Sequence, residues 1–235
     1  PEPSVVFPEE GTIKAFLQEN QERFRVFNIG FSMFERAWTL RGMEQILMDM
    51  LEEPVFVHTL LDRILEFNLS VIDQALEYDF DAVHFGDDWV QQHGLLMGPK
   101  LWREFIKPRV AAMYARVKEK GRYVVQHSCG DIQELFPDLI AIGLDVFNTF
   151  QSEVMDVVQI KKEYGKDLTF YGGISTQRIL PFAKPEELHR IIREIIQVLG
   201  KDGGYIVAPT HAMPRDIPAV NVVAFLECVS GQVNW

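Results

Sequence analysis

Tyr123-Val-Val-Gln-His127, near the middle of the chain, is followed directly by Ser-Cys129-Gly. A short apolar run of this kind predicts a buried β-strand, and the polar residues after it then lie at the strand's carboxyl end. Side chains two positions apart on a strand point to the same face, so the imidazole of His127 and the thiol of Cys129 converge. Nitrogen and sulfur are the donors that zinc prefers. The alternative is a buried cysteine beside a hydrogen-bonded histidine.

Five further apolar runs are similar to this one, and longer amphipathic stretches separate them. The six candidate strands are residues 24–30, 82–86, 123–127, 145–148, 168–172 and 205–208. Helical patterns lie between them, at residues 54–78, 99–120 and 185–199. Regular alternation of strands and helices predicts an α/β architecture, in which crossover helices connect the strands of a parallel sheet.

The number of strands favours a partial (β/α)8 barrel over an open doubly wound sheet. A complete (β/α)8 barrel usually needs about 250 residues or more, whereas this chain has 235. We therefore expect a TIM barrel that is N-terminally incomplete, with about six of its eight strands visible and the first two upstream of Pro1. Residues 1–235 then form a single domain. The alternative is an open doubly wound sheet, but the glycine-rich segment 200–204 precedes a strand and does not follow one.

The composition excludes several classes of partner. The formal net charge is −11, whereas a general nucleic-acid or anionic-membrane surface needs clustered lysine and arginine. No stretch has the apolar length of a membrane span, and no signal peptide is visible. The two cysteines, Cys129 and Cys228, do not make a disulfide framework, so a reducing cytoplasm is expected. A homodimer is kept as an open alternative.

The metal-binding residue types fall at the carboxyl ends of the predicted strands, where α/β barrels carry their active sites. His211 follows the last strand, as His127 and Cys129 follow the third. Together they predict a Zn²⁺ site with two nitrogen donors and one sulfur, whose fourth position is left for water, a substrate sulfur or a missing residue. Zinc would hold Cys129 as the thiolate. For His211 the alternative is a loop histidine that contacts the substrate directly.

Two adjacent aspartates follow the second predicted strand. Asp87 and Asp88 have three roles open to them: partner of a metal-bound histidine, general acid or base, or cap of the following helix. A cap explains one aspartate well and two poorly, so we expect one of the pair to be functional. Both therefore stand, with His211, as candidate catalytic residues.

Three other residues near the strand ends are candidates for substrate binding. Glu35 follows the first predicted strand, Trp89 follows the two aspartates, and Gln151 follows the fourth strand. Loops at these ends surround the mouth of a barrel, so their side chains can reach a bound substrate. For Glu35 the alternative is a solvent-facing helical pair with Arg36.

Six motifs, in this order along the chain, resemble those of the uroporphyrinogen decarboxylase superfamily. They are residues 30–42, 86–89 (Gly-Asp-Asp-Trp), 95–105, 127–130 (His-Ser-Cys-Gly), 172–176 (Gly-Gly-Ile-Ser-Thr) and 209–211 (Pro-Thr-His). The resemblance runs nearly end to end. It implies a (β/α)8 barrel, which agrees with the strand count once the missing start is allowed for.

One branch of this superfamily consists of zinc-dependent methyltransferases that exchange a methyl group with a corrinoid on a partner protein. Their signature is a His-x-Cys pair with a third ligand, usually cysteine, after the last strand. His127 and Cys129 match the pair, and His211 stands in the third position. Imidazole in place of thiolate makes the metal a stronger Lewis acid, so the identity of the small-molecule methyl donor or acceptor stays open.

The other branch removes acetate carboxyl groups from a tetrapyrrole, in porphyrin biosynthesis, without metal or cofactor. There His211 matches a substrate-contacting histidine. Trp38 falls near an active-site tyrosine of that branch, which makes it a further substrate-binding candidate but argues against the same chemistry. Such a decarboxylase does not require a His-x-Cys pair, so we favour methyl transfer, with decarboxylation as the alternative. A non-catalytic tetrapyrrole or metal binder is the third hypothesis.

Overall fold

The structure is a computed structural model, and it describes residues 7, 9–92 and 94–231. Its strands are β1 (Val26–Ile29), β2 (Ala82–Gly86), β3 (Val90–Gln91), β4 (Gly94–Leu95), β5 (Tyr123–His127), β6 (Val146–Phe150), β7 (Thr169–Ile174) and β8 (Tyr205–Pro209). The six candidate strands of the sequence correspond to β1, β2 and β5 to β8. The short hairpin of β3 and β4 was not predicted.

Ten α-helices lie in the described part of the chain. They are α1 (Glu10–Glu19), α2 (Phe34–Arg41), α3 (Met43–Glu52), α4 (Pro54–Ala75), α5 (Gly98–Leu101), α6 (Lys107–Glu119), α7 (Phe136–Ala141), α8 (Val157–Tyr164), α9 (Pro185–Leu199) and α10 (Ala219–Ser230). A π-helical turn, Trp102–Ile106, joins α5 to α6, and a 3₁₀ turn, Gln133–Leu135, leads into α7. The predicted helix 185–199 is confirmed, whereas the helix predicted at 99–120 is interrupted by the π turn. None of the described helices combines the length and the apolar character needed to cross a membrane.

The six longer strands form one parallel sheet in the order β1-β2-β5-β6-β7-β8. The prediction of a parallel α/β fold is therefore confirmed, and the sheet with its flanking helices agrees with part of a TIM barrel. The register aligns the strand ends that matter here: Gly86 is opposite His127, and His127 is opposite Asn148. The carboxyl ends of three neighbouring strands therefore lie side by side, with His127 and Asn148 adjacent and Asp87 and Asp88 directly after Gly86.

The two faces of the sheet differ in what they contact. Val83, Phe85, Val124 and Phe147 belong to the main buried core, which also contains apolar side chains from the helices. The residues that alternate with these along each strand, such as Val125, form a smaller cluster on the other face. Because side chains alternate along a strand, His127 lies on the same face as Val125. The helices thus cover one face, and His127 projects from the other, at the carboxyl end of β5.

Candidate functional site

Three possible metal ligands converge at the carboxyl ends of β5 and β8. His127 ends β5, Cys129 lies two residues further on, and His211 is in the loop after β8. One ligand atom from each lies within 4.8 Å of the other two. Cys129 Sγ is 3.5 Å from His127 Nε2, and a tetrahedral zinc ion with Zn–S of about 2.3 Å and Zn–N of about 2.0 Å would separate them by about 3.5 Å. The pair of His127 and Cys129 therefore has the spacing of two zinc ligands, and His211 is near enough to be the third candidate.

Asn148 determines the orientation and the tautomer of the His127 ring. The amide nitrogen of Asn148 donates to the Tyr171 carbonyl at 3.0 Å, so its side-chain oxygen must face His127. That oxygen lies 2.6 Å from His127 Nδ1, which therefore carries the proton and donates it. The lone pair is then on Nε2, the atom that faces Cys129. Histidine ligands of metals are typically oriented in this way. Asn148 is a site residue to which the sequence analysis assigned no role, although it ends the predicted strand 145–148.

Asp88 holds the segment that carries Cys129. The Cys129 backbone N–H donates to Asp88 Oδ1 at 2.7 Å, and the same oxygen is 3.9 Å from His127 Nε2. The side chain of Asp88 is 38% exposed. Burial first, and then the negative charges of Asp88 and Glu35, raise the pKa of the Cys129 thiol to about 12. A thiolate at this position thus needs a compensating cation.

Asp87 is fully buried and forms a structural contact with the neighbouring βα unit. Its carboxylate accepts the backbone N–H groups of Phe34 at 2.9 Å and Glu35 at 2.8 Å, and the indole N–H of Trp89. Burial raises its pKa to about 6, while the N–H donors act in the opposite direction. Asp87 therefore caps α2, which precedes it in the sequence, whereas the cap that was one of its three possible roles was expected on the helix that follows it.

Glu35, in the first turn of α2, is half-buried beside both aspartates. Its pKa is raised to about 7, first by burial and then by the negative charges of Asp88 and Asp87. Glu35 also raises the pKa of Cys129, so its carboxyl group lies within electrostatic reach of the three converging ligands. A carboxyl group with a pKa near 7 is suited to act as a general acid or base at neutral pH.

The raised pKa of Glu35 predicts a pH-dependent difference in stability between wild type and Glu35→Gln. The fold favours the protonated carboxyl, so the stabilisation is complete below about pH 4.5 and is lost as the pH rises through about 7. Urea unfolding should show the wild type losing stability relative to Glu35→Gln over that range. The exposed Glu44, changed to glutamine, is the control and should follow the wild type throughout. A constant difference between pH 5 and pH 8 would contradict this electrostatic account.

The remaining candidates differ in how much surface they offer a substrate. Trp89 is fully buried and packs edge-to-face on Trp102, with 5.3 Å between ring centroids, so its side chain has no surface for a substrate. Trp38 is partly buried, with its ring 6.3 Å from that of Phe31. Gln151 is 6% exposed and lines a cavity beside Cys129 and His211. Of these three, Gln151 is the one that the structure places next to the converging ligands.

The cavity beside the ligands has a volume of about 190 Å³. Its lining is rich in amide and hydroxyl side chains that the sequence analysis did not select: Gln91, Gln92, Thr176, Gln177 and Thr210. The hairpin of β3 and β4 supplies two of them. It packs so close to the His-Ser-Cys-Gly segment that a Cβ on Gly130 would lie 2.6 Å from the Gln91 carbonyl oxygen. The sequence signal for these residues was weak, because single glutamines and threonines are common on any surface.

A family model described as "Uroporphyrinogen decarboxylase (URO-D)" matches residues 13–232. The chain belongs to this family. The motifs that resembled the superfamily in the sequence thus identified it correctly, and members of the family fold as TIM barrels, in agreement with the parallel sheet.

Curated relatives in the uroporphyrinogen decarboxylase family are distant. The uroporphyrinogen decarboxylase of Christiangramia forsetii is 24% identical over 177 residues, which are 75% of this chain and 48% of that protein. The uroporphyrinogen decarboxylase of a Hydrogenobaculum species is 22% identical over 177 residues, 73% of this chain and 47% of that protein. The chain therefore spans about half the length of the curated relatives it matches.

A solved structure with the same fold is described as a methyltransferase from Methanosarcina mazei. It superposes with a TM-score of 0.70 and 18% sequence identity, and the match covers 88% of this chain and 58% of that chain. At this identity the likeness shows the fold alone. The curated relatives are thus described as decarboxylases, whereas this structural neighbour is described as a methyltransferase.

Proposed function

We propose that this chain is a zinc-dependent methyltransferase that exchanges a methyl group with a corrinoid carried by a partner protein. The observation that carries the proposal is the convergence of His127, Cys129 and His211 within 4.8 Å. A decarboxylase that works without metal has no need of a thiol placed 3.5 Å from an imidazole nitrogen. The methyltransferase from Methanosarcina mazei, which has the same fold, supports the same choice.

The residues of the chain have separable tasks in such a reaction. Zinc would supply Lewis acidity, lowering the pKa of a bound methyl acceptor or polarising a methyl donor. Asn148 keeps the Nε2 lone pair of His127 directed at Cys129, and Asp88 fixes the backbone of Cys129. Glu35, whose pKa is about 7, is placed to accept or return a proton near the ligands. Substrate would enter through the cavity that Gln151 and His211 line.

The direct test is metal content and methyl transfer measured on the same preparation of the full-length protein. About one zinc per chain is expected from the three-ligand site, together with loss of the methyl group from methylcobalamin when a small nucleophile is added. A protein that remains folded and takes up no zinc would contradict the proposal.

Asn148→Ala should weaken metal binding while leaving all three ligands in place. The change removes the acceptor 2.6 Å from His127 Nδ1, so the ring is free to rotate and to change tautomer. Loss of such a hydrogen bond typically lowers metal affinity by about 10- to 100-fold. Competition with a chromophoric chelator measures this directly. Asn221→Ala is the matched control, because Asn221 is also buried but donates to the carbonyl oxygens of Leu180 and Ala183, away from the site.

Uroporphyrinogen decarboxylase activity is the second candidate, favoured by the names of the curated relatives. It predicts release of carbon dioxide from a porphyrinogen by metal-free protein, without dependence on corrinoid. Tight binding of a tetrapyrrole or a metal with no turnover in either assay would instead support a non-catalytic binder.

A further inference from the structure

The loop that carries His211 begins where two neighbouring strands end. β7 and β8 pair in parallel as far as Ile174 and Pro209, and the backbone N–H of Thr210 then donates to the Ile174 carbonyl oxygen at 2.9 Å. Beyond this bond the chain leaves the sheet and runs as a loop to α10, which begins at Ala219. His211 is exposed. An exposed loop side chain populates several conformations unless its neighbours hold its backbone.

A tight turn after β7 brings Thr176 against Thr210. Ser175, which is 1% exposed, accepts the backbone N–H groups of Gln177 at 3.2 Å and Arg178 at 2.7 Å through its side-chain oxygen. A serine oxygen bonded to the backbone two and three residues ahead closes a turn. The direction in which Thr176 leaves the strand is therefore set by Ser175.

Thr176 and Thr210 form a buried pair that connects the two loops. Their side chains belong to residues that are 7% and 4% exposed. The backbone N–H of Thr176 donates to Thr210 Oγ1 at 3.2 Å, and the two hydroxyl oxygens are also 3.2 Å apart. Thr210 is therefore held at two points, through its backbone by Ile174 and through its side chain by Thr176.

This anchored threonine lies directly before the candidate ligand. The Cα atoms of consecutive residues are about 3.8 Å apart, so holding Thr210 at two points limits the positions open to the Cα of His211. The rings of His211 and His127 have 5.8 Å between their centroids. A ligand that is held in place before the metal arrives loses less conformational freedom on binding, which raises the affinity.

We infer that Thr210, held by Thr176, is a positioning residue that directs His211 toward the other two candidate ligands. The inference rests on the proposed function, because it requires His211 to bind the metal. His211 thereby receives from its neighbour the kind of support that hydrogen bonds give to the other two. The structural alternative is that the pair of threonines only joins the loops after β7 and β8.

Thr210→Val should lower the zinc affinity of the full-length protein by about 10- to 100-fold, the range typical of residues that orient a ligand. Valine has nearly the same shape but lacks the oxygen that accepts the Thr176 N–H. Thr210→Ser keeps that oxygen and should bind zinc as the wild type does. Competition with a chromophoric chelator measures the affinity. Thr169→Val, at the opposite end of β7, is the control and should leave it unchanged.

A second readout reports the ligands themselves. Cobalt in place of zinc shows the ligand set and its geometry in the absorption spectrum. The spectrum of cobalt-substituted Thr210→Val should shift toward that of His211→Ala, whereas a threonine that only supports the fold would leave the spectrum of the folded protein unchanged.

A double-mutant cycle separates positioning of His211 from general support of the fold. If Thr210 acts through His211, Thr210→Val should cause no further loss of affinity in protein that already carries His211→Ala. Equal losses in both backgrounds would overturn the inference, as would a loss in Thr210→Ser as large as in Thr210→Val. If Thr210→Val does not fold, Thr176→Val gives the same test, and we expect a smaller loss that is again absent without His211.

Failure of this inference is distinguishable from failure of the proposed function. Zinc binding that is lost in Cys129→Ala but unaffected by Thr210→Val would overturn the inference and leave the proposed function standing. A folded wild-type protein that takes up no zinc would overturn both.

Discussion

Cys129→Ala is expected to lose both zinc and methyl transfer. The change removes one of three converging ligands, whose sulfur lies 3.5 Å from His127 Nε2, and leaves a two-histidine pair that holds zinc weakly. Changes to residues that only orient a ligand already reduce metal affinity by about 10- to 100-fold, so loss of a ligand should cost at least about 100-fold. Elemental analysis and a chelator competition assay measure the effect without reference to turnover.

The other cysteine provides a matched control for this experiment. Cys228 lies on α10, where its sulfur is 3.9 Å from the backbone carbonyl oxygen of His189, away from the three ligands. Cys228→Ala should therefore keep full metal content and activity. Retention of activity by Cys129→Ala would refute zinc-dependent methyl transfer, and if porphyrinogen decarboxylation persisted in that variant the alternative function would be favoured.

Of the substitutions proposed here, Asp87→Ala is expected to reduce the free energy of unfolding most, by about 3–5 kcal/mol. Its carboxylate accepts three N–H groups, from the backbone of Phe34 and Glu35 and from the indole of Trp89. Alanine would leave these donors buried without an acceptor, and it would uncap α2 at the same time. Urea denaturation followed by circular dichroism measures the change in the free energy of unfolding.

The adjacent residue, Asp88, provides a comparison that shows how much of the loss of stability depends on burial of the carboxylate. Asp88 is 38% exposed and accepts one backbone N–H, that of Cys129, so Asp88→Ala should cost about 1 kcal/mol. Similar losses of stability in the two variants would contradict a structural role specific to Asp87. Metal affinity should show the opposite ranking, because the Asp88 carboxylate holds the backbone of Cys129, whereas the Asp87 carboxylate bonds to none of the three ligands.

The strands and the convergence of the ligands were predictable from the sequence for the same reason. Short apolar runs in regular alternation with helices predict parallel strands, and parallel strands bring their carboxyl ends to one edge of the sheet. His127, Cys129 and His211 each follow such a run, so their proximity followed from the topology without knowledge of any contact distance. The structure brings these three together within 4.8 Å.

The rest of the site depends on contacts that local patterns do not specify. Asp87 follows its own strand but caps a helix more than 50 residues earlier, since β1 and β2 pair side by side. Asn148 acquires its role because it lies opposite His127 in the register of β5 and β6. The hairpin of β3 and β4 is two residues long on each side, too short to show a period in the sequence. These features arise from pairing between distant segments.

His211 lies about 80 residues beyond Cys129 in the sequence, so the candidate ligands bracket a third of the chain. A zinc ion shared by them would act as a reversible cross-link, because it ties together segments that move independently once the protein unfolds. Ligand binding to the native state alone adds about 4 kcal/mol of stability when the free ligand is about 1,000 times its Kd. The amount of protein that escapes degradation in the cell would then depend on the supply of metal.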